Sequence, residues 1–515
     1  MAGAPQTGGG AGAGTAGTGA AGMGAAGASG DVPVVLPPLV TSAEGAYWQK
    51  SDALTEATGT ADVTVNDAVV GQKWDGFGGA FNELGWSYLT SQDMVDQAIA
   101  LLFSASDGAA LAWGRIPIGA SDYAVSRYTD DDTGTDVTPK SDESNRPPED
   151  TSLAQFSLAR DAQKLIPYIK AAQAKNPKLR FWASPWTPPV WMKTGYKTSS
   201  GADASQQAKK PSYFDGGSMK SSAADLAAYA QYYTRFVSGY GDQGIKIEVV
   251  SPQNEPGYDQ NYPSCLWDKT TYVSWIGQYL GPAMKAIGVN VMLGTLSNAG
   301  DSGRSDVDLA NAVLADTTAT SFVSVVGAQW GVLDWIDDGT TKLGNLPVWA
   351  TEHKCGNYPW CTSTSNGCPS AYNASEAPND QAYAEESWYY LRDAITKGKV
   401  TAYNAWNMVL DKTGLGIDTT RDWKQNALLV ADGGKVNPTP AYYVFRHFSQ
   451  YVVPGANVLG TTGGDAVAFK NPDGSLVAVA FNGGAAKANY SVALGGKQFQ
   501  FAMPSHGWAT VKYKP

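Results

Sequence analysis

The feature that most constrains the fold is an alternation of short apolar runs with longer segments of helical periodicity between residues 74 and 407. The apolar runs, each a candidate strand, are Trp74–Phe81, Ala110–Ile118, Leu179–Ala183, Ile245–Ser251, Val289–Thr295, Phe322–Ala328, Leu346–Thr351 and Val400–Asn407. The clearest segments with apolar residues at helical spacing are Ser152–Lys175, Ser222–Tyr240, Thr270–Gly288 and Gln381–Lys397. Eight strands alternating with helices are typical of the α/β class and predict a (β/α)8 barrel.

Polar and aromatic side chains follow most of these runs. They are Ser121-Asp122, Ser184-Pro185-Trp186, Asn254-Glu255, Glu352-His353, Asn404 and Trp406-Asn407. The active sites of (β/α)8 barrels form at the C-terminal ends of the strands. This placement therefore predicts a catalytic barrel.

Composition changes on both sides of the barrel. Residues 1–30 contain 12 Gly and 10 Ala, so we expect 1–40 to be a disordered tether with nothing to bury. From about Ala441 short strands broken by Gly pairs predict a β-sandwich, and the early strand-like stretch Ala61–Val70 is expected to pair with it. We therefore predict that residues 41–70 join the side sandwich, that 71–437 form the catalytic barrel, and that 438–515 form the C-terminal sandwich.

Charge and hydropathy limit the partners. Lys and Arg number 37 against 48 Asp and Glu, which gives a net charge of −11 and argues against nucleic acid or an anionic membrane. No apolar run approaches the ~20 residues of a membrane span. The 17 Trp and 26 Tyr suit the flat faces of sugars, although core packing explains them equally well. We expect a monomer that acts on a polysaccharide or an oligosaccharide.

Four cysteines bear on the cellular compartment: Cys265, Cys355, Cys361 and Cys368. They form no CxxC pair, and only His353 lies nearby, so a zinc site is disfavoured. Disulfides in an oxidising compartment are the better interpretation, while a cytosolic protein with free thiols remains open. No signal peptide is recognisable after Met1, which a processed secreted chain explains.

Two glutamates close apolar runs. Glu255 follows Ile245–Ser251 in Gln253-Asn254-Glu255-Pro256, and Glu352 follows Leu346–Thr351. Breaking a glycosidic bond needs one protonated carboxyl group for the leaving oxygen and one ionised carboxylate. Taken alone, either glutamate is an ordinary solvated or capping residue. As a pair they indicate a glycosidase that needs neither a metal nor an organic cofactor.

Six motifs, in order along the chain, carry a resemblance to a known family. They are Trp74-Asp75-Gly76-Phe77-Gly78-Gly79-Ala80-Phe81, Arg115-Ile116-Pro117-Ile118-Gly119-Ala120-Ser121-Asp122, Ala183-Ser184-Pro185-Trp186-Thr187-Pro188-Pro189, Gln253-Asn254-Glu255-Pro256, Thr351-Glu352 and Trp406-Asn407. The chain from about residue 70 to 515 resembles glycoside hydrolase family 30, which contains glucosylceramidases, endo-β-1,6-glucanases and xylanases. The resemblance implies a (β/α)8 barrel with a side β-sandwich built from both chain ends.

The resemblance also implies roles for individual residues. Glu255 matches the acid/base of a retaining mechanism, and Glu352 matches the nucleophile. Asn254 would hydrogen-bond the sugar 2-hydroxyl. Arg115 would lie against Glu352 and keep it ionised, although a structural ion pair remains open for this residue.

Further matches concern the first sugar pocket. Asp122, Trp186, Trp406 and Asn426 match residues that line it, although a core role remains open for both tryptophans. Weaker candidates for sugar contacts are Tyr258, Trp330 and Tyr358, which follow strand ends.

Two departures from the family pattern leave questions for the structure. Asn82-Glu83 stands where the family often has Thr-Asp, and His353-Lys354-Cys355 stands where glucosylceramidases have Ala-Cys after the nucleophile. His353 either touches the substrate, tunes Glu352 or is a structural histidine. The loops that carry Cys265 and Cys355 open on one barrel face, so we expect a bridge between them and a local link between Cys361 and Cys368.

The sequence therefore predicts a secreted, retaining β-glycosidase acting on β-glucosidic linkages, with internal cleavage of β-1,6-glucan as the preferred activity. A glucosylceramidase or a xylanase on the same scaffold is the alternative within enzymes. The alternative from another class is a non-catalytic carbohydrate-binding protein.

Overall fold

The computed structural model describes residues 35–133, 147–194, 212–298, 305–337, 343–353, 357–358, 381–417, 424–425 and 427–515. Most of the predicted tether lies outside the described residues, so its disorder stays a prediction. Leu39 and Val40, assigned to its end, belong instead to a strand.

Within these ranges the strands are β1 (Leu39–Ala43), β2 (Ala46–Ser51), β3 (Thr55–Glu56), β4 (Val63–Lys73), β5 (Gly76–Ala80), β6 (Trp113–Ile118), β7 (Arg180–Pro185), β8 (Lys193–Thr194), β9 (Ser218–Met219), β10 (Ile247–Val250), β11 (Asn290–Leu296), β12 (Val323–Gln329), β13 (Val348–His353), β14 (Asn357–Tyr358), β15 (Ala402–Asn407), β16 (Val409–Asp411), β17 (Lys424–Gln425), β18 (Leu429–Asp432), β19 (Lys435–Pro438), β20 (Asn457–Gly463), β21 (Asp465–Lys470), β22 (Leu476–Asn482), β23 (Lys487–Leu494), β24 (Lys497–Met503) and β25 (Gly507–Tyr513).

The α-helices of the same ranges are α1 (Glu83–Tyr88), α2 (Gln92–Phe103), α3 (Leu165–Lys175), α4 (Ala223–Asp242), α5 (Lys269–Ser274), α6 (Gly281–Ala286), α7 (Asp306–Ala315), α8 (Thr317–Thr320), α9 (Trp330–Asp337), α10 (Gln381–Thr396) and α11 (Pro440–Ser449). A π-helical segment, Trp275–Leu280, joins α5 to α6.

The central element is a closed parallel barrel with the strand order β10-β11-β12-β13-β15-β5-β6-β7. Each of the eight apolar runs identified in the sequence contributes one strand, with ends that differ by a few residues. Helices follow the strands on the outside, from α1 and α2 after β5 to α11 after β15. The predicted (β/α)8 barrel is confirmed.

Several barrel helices begin at short polar side chains that bind backbone N–H groups of the first turn. The Ser91 hydroxyl accepts from the N–H of Met94 at 3.2 Å at the start of α2. The Ser222 hydroxyl accepts from Asp225 in the same way at 3.1 Å and begins α4. Such caps satisfy donors that no helical carbonyl can reach, so these helices begin where the local sequence places a serine.

A belt of large side chains fills the barrel interior. One cluster takes a residue from each of seven strands: Trp113, Trp182, Val249, Met292, Val325, Trp349 and Ala402. The eighth strand, β5, contributes Gly78 instead, and the neighbouring space is occupied by the side chain of Asn404. Gly78 thus has a packing reason, because Asn404 and Trp113 leave no room there for a side chain.

The second element is a sheet of ten strands in the order β2-β1-β25-β22-β21-β20-β4-β23-β24-β3. Strand β1 pairs antiparallel with β25, and β4 pairs antiparallel with β20 and parallel with β23. The segment before the barrel therefore joins the C-terminal strands, as the sequence predicts. The sandwich has its own apolar core, which includes Val63, Leu476 and Val511.

One helix lies within the segment 438–515 that was assigned to the sandwich. Helix α11 begins after Thr439, whose hydroxyl accepts from the N–H of Tyr442 at 3.3 Å. Its residues Val444, Phe445 and Phe448 belong to the main barrel core. The strands that follow begin only with β20 at Asn457.

The glycine in β5 makes a testable prediction about packing. A Cβ at Gly78 would lie 2.4 Å from Asn404 Oδ1 and 2.6 Å from the Trp113 carbonyl oxygen. We expect Gly78→Ala to lower the free energy of unfolding by about 1–3 kcal/mol, because the buried neighbours must shift. Gly241→Ala in α4 is the matched control, since a Cβ there meets nothing within 4 Å. Thermal unfolding should show a lower midpoint for the first variant only; equal midpoints would contradict this packing.

Candidate active site

The two glutamates lie at the C-terminal ends of barrel strands and face one cleft. Glu255 follows β10, and Glu352 lies in β13. They are 8% and 5% exposed. The cleft has a volume of about 520 Å³, and both glutamates line it together with Asp122, Tyr258, Gln260, Tyr262, Ser297, Trp330, Gly331, Asp334, His353, Tyr390 and Gln425. The structure thus brings together carboxyl groups that are far apart in the sequence.

A buried cation lies between the two strand ends. Arg115 in β6 has no exposed surface, and one guanidinium nitrogen, Nη1, donates to Glu352 Oε2. The other, Nη2, donates to Asn254 Oδ1 at 2.6 Å. Burial lowers the pKa of Arg115. The neighbouring carboxylates, of which Glu352 has the strongest effect, raise it and so oppose that change. An arginine stays charged in proteins, so a full positive charge lies against Glu352.

The amide of Asn254 is held in one orientation. Its Oδ1 accepts hydrogen bonds from Arg115 and from Gln329 Nε2 at 3.2 Å, and it lies 3.3 Å from Thr295 Oγ1. Because a guanidinium can only donate, the atom that contacts Arg115 must be the amide oxygen. The Nδ2 group is therefore directed toward Glu255, where it donates to Oε2 at 3.4 Å, and its donor side faces the reacting end of that carboxyl.

The backbone at Glu255 adopts a conformation that side-chain-bearing residues rarely take. Its φ angle is +47°, which costs on the order of 1 kcal/mol for a non-glycine residue. The strain is held by neighbouring strands: Asn254 N–H donates to the Pro185 carbonyl at 2.8 Å, and Glu255 N–H donates to the Thr295 carbonyl at 3.0 Å. Such strain persists where surrounding structure over-determines it, as at functional sites.

The electrostatics of the two glutamates differ. Burial raises the pKa of both carboxyl groups. For Glu352 the strongest opposing influence is the cation of Arg115. For Glu255 the first opposing influence is a hydrogen bond from neutral Ser297, Arg115 opposes as well, and the carboxylates of Asp122 and Asp306 raise the pKa further. The carboxylates of Glu255 and Asp122 also raise the pKa of Glu352. What distinguishes Glu352 is its direct contact with the Arg115 cation, which favours its ionised form.

Two tryptophan rings pack against the Arg115 guanidinium. Trp186 and Trp406 stack with their ring centroids 5.3 Å apart, and the Arg115 guanidinium lies 4.3 Å from the Trp186 centroid. They are 2% and 3% exposed. The Trp406 indole N–H is buried and has no hydrogen-bond partner within the described part of the chain. Neither ring is among the residues that line the cleft, so the place of Trp186 and Trp406 in the first sugar pocket stays a prediction.

His353 and Trp330, two candidates from the sequence, both lie beside Glu352 in the cleft. His353 Nδ1 lies 2.9 Å from the Tyr403 hydroxyl, and its Nε2 lies 3.8 Å from Asp334 Oδ1. Trp330 Nε1 donates to Glu352 Oε1 at 3.2 Å. His353 thus combines a buried structural contact with a position in the cleft wall, and Trp330 contacts Glu352 directly.

The departure at Asn82-Glu83 has a structural explanation. The Asn82 side chain caps α1 by accepting from Gly85 N–H at 2.6 Å and donates to Asn407 Oδ1 at 2.9 Å. Glu83 accepts from Arg160 at 2.6 and 2.8 Å. It also accepts from the backbone N–H of Val125 at 2.9 Å. These residues hold the loop that follows Asp122 and do not line the cleft.

Sequence reasoning missed several residues around Glu255. The Tyr262 hydroxyl donates to Glu255 Oε2 at 3.3 Å, and Ser297 hydrogen-bonds to the same carboxyl. Gln329 ends β12 and binds Asn254. Gln329, which ends β12, and Ser297, which directly follows β11, had a usable signal in their places at strand ends. Tyr262 comes from an irregular loop in which one tyrosine among 26 stands out in no way.

Some residues that the sequence assigns to the site or to disulfides lie outside the described part of the chain. Asn426 and the cysteines Cys355, Cys361 and Cys368 lie outside the described residues, so their roles stay predictions. Cys265 is a free, buried cysteine, which disagrees with the predicted bridge to Cys355. Its thiol lies in the core, where burial raises its pKa to about 12.

Two further observations concern the described ranges alone. They contain no group of three or more His, Cys, Asp or Glu side chains that could hold a metal ion. They also contain no helix that is long and apolar enough to cross a membrane.

A parallel (β/α)8 barrel with paired buried carboxyl groups at its strand ends is the architecture of a glycoside hydrolase. The family model for the glycosyl hydrolase family 30 TIM-barrel domain matches residues 74–452, and the model for the beta sandwich domain of the same family matches residues 455–511. The chain belongs to glycosyl hydrolase family 30 and is a retaining glycosidase.

Its relatives include enzymes with different substrates. "Putative glucosylceramidase 1" of Caenorhabditis elegans is 29% identical, over 84% of this chain and 77% of its own length. "Endo-1,6-beta-D-glucanase BGN16.3" of Trichoderma harzianum is 25% identical, over 82% of this chain and 80% of its own. Among solved structures, "The endo-beta1,6-glucanase BT3312" has a TM-score of 0.74 at 20% identity and covers 92% of this chain and 98% of its own, a likeness of fold.

Proposed function

We propose that this enzyme cleaves β-1,6-linked glucan internally, with Glu352 as nucleophile and Glu255 as general acid and base. The observation that carries the role assignment is the ion pair of Arg115 with Glu352. A cation in contact favours the ionised form that a nucleophile needs. Glu255 makes no such ion pair in the described part of the chain, its acidic neighbours Asp122 and Asp306 raise its pKa, and it is suited to hold a proton.

In the first step a carboxylate oxygen of Glu352 attacks the anomeric carbon. The bond from that carbon to the glycosidic oxygen breaks, and Glu255 gives its proton to the leaving oxygen. In the second step Glu255 takes a proton from water, the water oxygen attacks the anomeric carbon, and the bond to Glu352 breaks. Two inversions at one carbon retain the β configuration.

Other residues support this reaction. The oriented Nδ2 of Asn254 is suited to donate to the 2-hydroxyl, a contact that strengthens in the transition state. Asp122 lines the cleft and can accept from hydroxyl pairs, while the stacked Trp186 and Trp406 pack against the Arg115 guanidinium. These groups suit a glucose ring in the first subsite.

The residues that line the cleft and the net charge of the chain both favour a glucan as the substrate. The cleft lining is polar and aromatic, with Tyr258, Gln260, Asp334 and Tyr390, which suits a second sugar better than an acyl chain. A net charge of −11 disfavours an anionic lipid surface. The names of two fungal relatives also point to 1,6-glucan. A polymer of this kind fits a secreted, monomeric enzyme.

The first prediction concerns the two carboxyl groups. Glu352→Gln should abolish nearly all activity while the protein stays folded. Glu255→Ala should lose activity on phenyl β-glucoside, and azide should partly restore turnover of 2,4-dinitrophenyl β-glucoside, because azide needs no general base. Glu248→Gln on the same strand is the control with unchanged rate, since Glu248 pairs with Arg180 outside the cleft. Proton NMR should show a β product first; an α product first would overturn the assignment.

The second prediction concerns pH. The plot of kcat/KM against pH should be bell-shaped. Removing the cation in Arg115→Met should raise the pKa of Glu352, since its ionised form loses its partner, so the acidic limb should move to higher pH. Arg115→Lys keeps the charge and should leave that limb closer to the wild type. A folded Arg115→Met variant with an unmoved acidic limb would show that Glu352 does not control it.

The third prediction concerns the substrate. Incubation with pustulan, glucosylceramide and glucuronoxylan in parallel should release gluco-oligosaccharides from pustulan fastest. Product chromatography distinguishes internal from terminal cleavage, since internal cleavage yields oligosaccharides of mixed length at early times. Faster turnover of glucosylceramide or glucuronoxylan would replace the proposed substrate while leaving the two-glutamate mechanism in place.

A further inference from the structure

Asp306 is a buried carboxyl group outside the cleft lining, at the first position of α7. Its Oδ2 accepts from the backbone N–H groups of Ser297 at 2.7 Å and of Asn298 at 2.9 Å. The N–H of Gly257 also hydrogen-bonds to the Asp306 carboxyl. One side chain therefore joins the loop after β10 to the loop after β11.

These two loops carry the surroundings of Glu255. Gly257 lies two positions after Glu255, and the Ser297 side chain hydrogen-bonds to the Glu255 carboxyl. Asn298 Nδ2 donates to the Gly257 carbonyl at 3.4 Å, which closes the link between the loops. Moving Asp306 would thus move a direct hydrogen-bond donor of Glu255.

The charge of Asp306 also influences the protonation of Glu255. The ionisable groups around Glu255 are Asp122, Asp306, Glu352, Arg115 and the hydroxyl of Tyr262. Asp306 itself faces Tyr272, and its Oδ1 is buried with no hydrogen-bond partner in the described ranges. Two carboxyl groups that interact in a dry environment disfavour simultaneous ionisation. Burial raises the pKa of Asp306 to about 7, while the backbone N–H groups of Ser297, Asn298 and Gly257 favour its ionised form. Once Asp306 is ionised, its negative charge helps Glu255 to retain its proton.

We propose that Asp306 is a positioning residue for glycoside cleavage, which holds the loops at Gly257 and Ser297 against Glu255 and favours the protonated acid through its negative charge. This inference rests on the proposed role of Glu255 as the acid. It assigns Asp306 no contact with the substrate. Its two influences on Glu255 act in opposite directions: the Ser297 hydroxyl that it positions favours the ionised form, and its own negative charge favours the protonated form.

The test is Asp306→Asn, which keeps an oxygen acceptor for the backbone and removes the charge. The basic limb of kcat/KM on phenyl β-glucoside should move to lower pH by about half a unit, a roughly threefold loss on the alkaline side. The acidic limb should stay in place. On 2,4-dinitrophenyl β-glucoside, whose leaving group needs no proton, kcat/KM should hardly change, whereas general damage to the fold would lower both rates.

A matched control lies on the same helix. Asp308→Asn removes an exposed carboxylate that pairs with Lys269 at 3.6 Å, and it should leave both limbs unchanged. A second variant works in the opposite direction: Ser297→Ala removes a hydrogen bond that favours ionised Glu255. Its basic limb should move to higher pH, which keeps the test decisive if Asp306→Asn folds poorly.

The outcomes separate this inference from the proposed function. An unmoved basic limb in Asp306→Asn, or an equal loss on both aryl glucosides, would overturn the role of Asp306 while Glu255 remains the acid. If Glu255→Gln itself kept wild-type activity on phenyl β-glucoside, the proposed acid would be wrong. Shifts of the limb in opposite directions in Asp306→Asn and Ser297→Ala would support the inference.

Discussion

The buried guanidinium of Arg115 is the interaction on which the rest of the site depends. Bringing a cation into the barrel without exposure is costly unless its charge and its donors are matched. Here Nη1 binds Glu352, Nη2 binds Asn254, and the planar group lies over the ring of Trp186. These contacts pair the charge of Arg115, although its buried Nε has no hydrogen-bond partner in the described part of the chain. They also favour the ionised form of Glu352 and fix which way the Asn254 amide faces.

The barrel makes this arrangement rigid by supplying each group from a different parallel strand. Glu255 could not keep its unfavourable backbone angle alone. Hydrogen bonds from the segment Asn254–Glu255 to the carbonyls of Pro185 and Thr295 hold it between β7 and β11. Precision at the site is therefore a property of the whole sheet, since each strand end is positioned by its neighbours.

Much of the fold and the two glutamates of the site could be predicted from local patterns in the sequence. Apolar runs of strand length identify the barrel strands, and the residues that close them include Glu255 and Glu352. The helix α11 was missed, because an aromatic-rich stretch after Thr439 suits a helix and a strand alike and only its packing on the barrel core separates them. Tyr262 and Asp306 were missed as well, since they come from a loop and from a helix start whose local sequence carries no mark of the site.

The sequence by itself determined the fold class, the pair of glutamates and the tryptophans Trp186 and Trp406 at the strand ends. The reason is that strand periodicity and strand-end chemistry are properties of neighbouring residues. The tertiary structure alone decided which groups surround each carboxyl. Arg115 lies 237 positions from Glu352, and Asn254 lies 75 positions from Gln329. It also left Cys265 as a free, buried thiol. The charge state of a carboxyl depends on burial and on neighbours in space, and these exist only once the barrel closes.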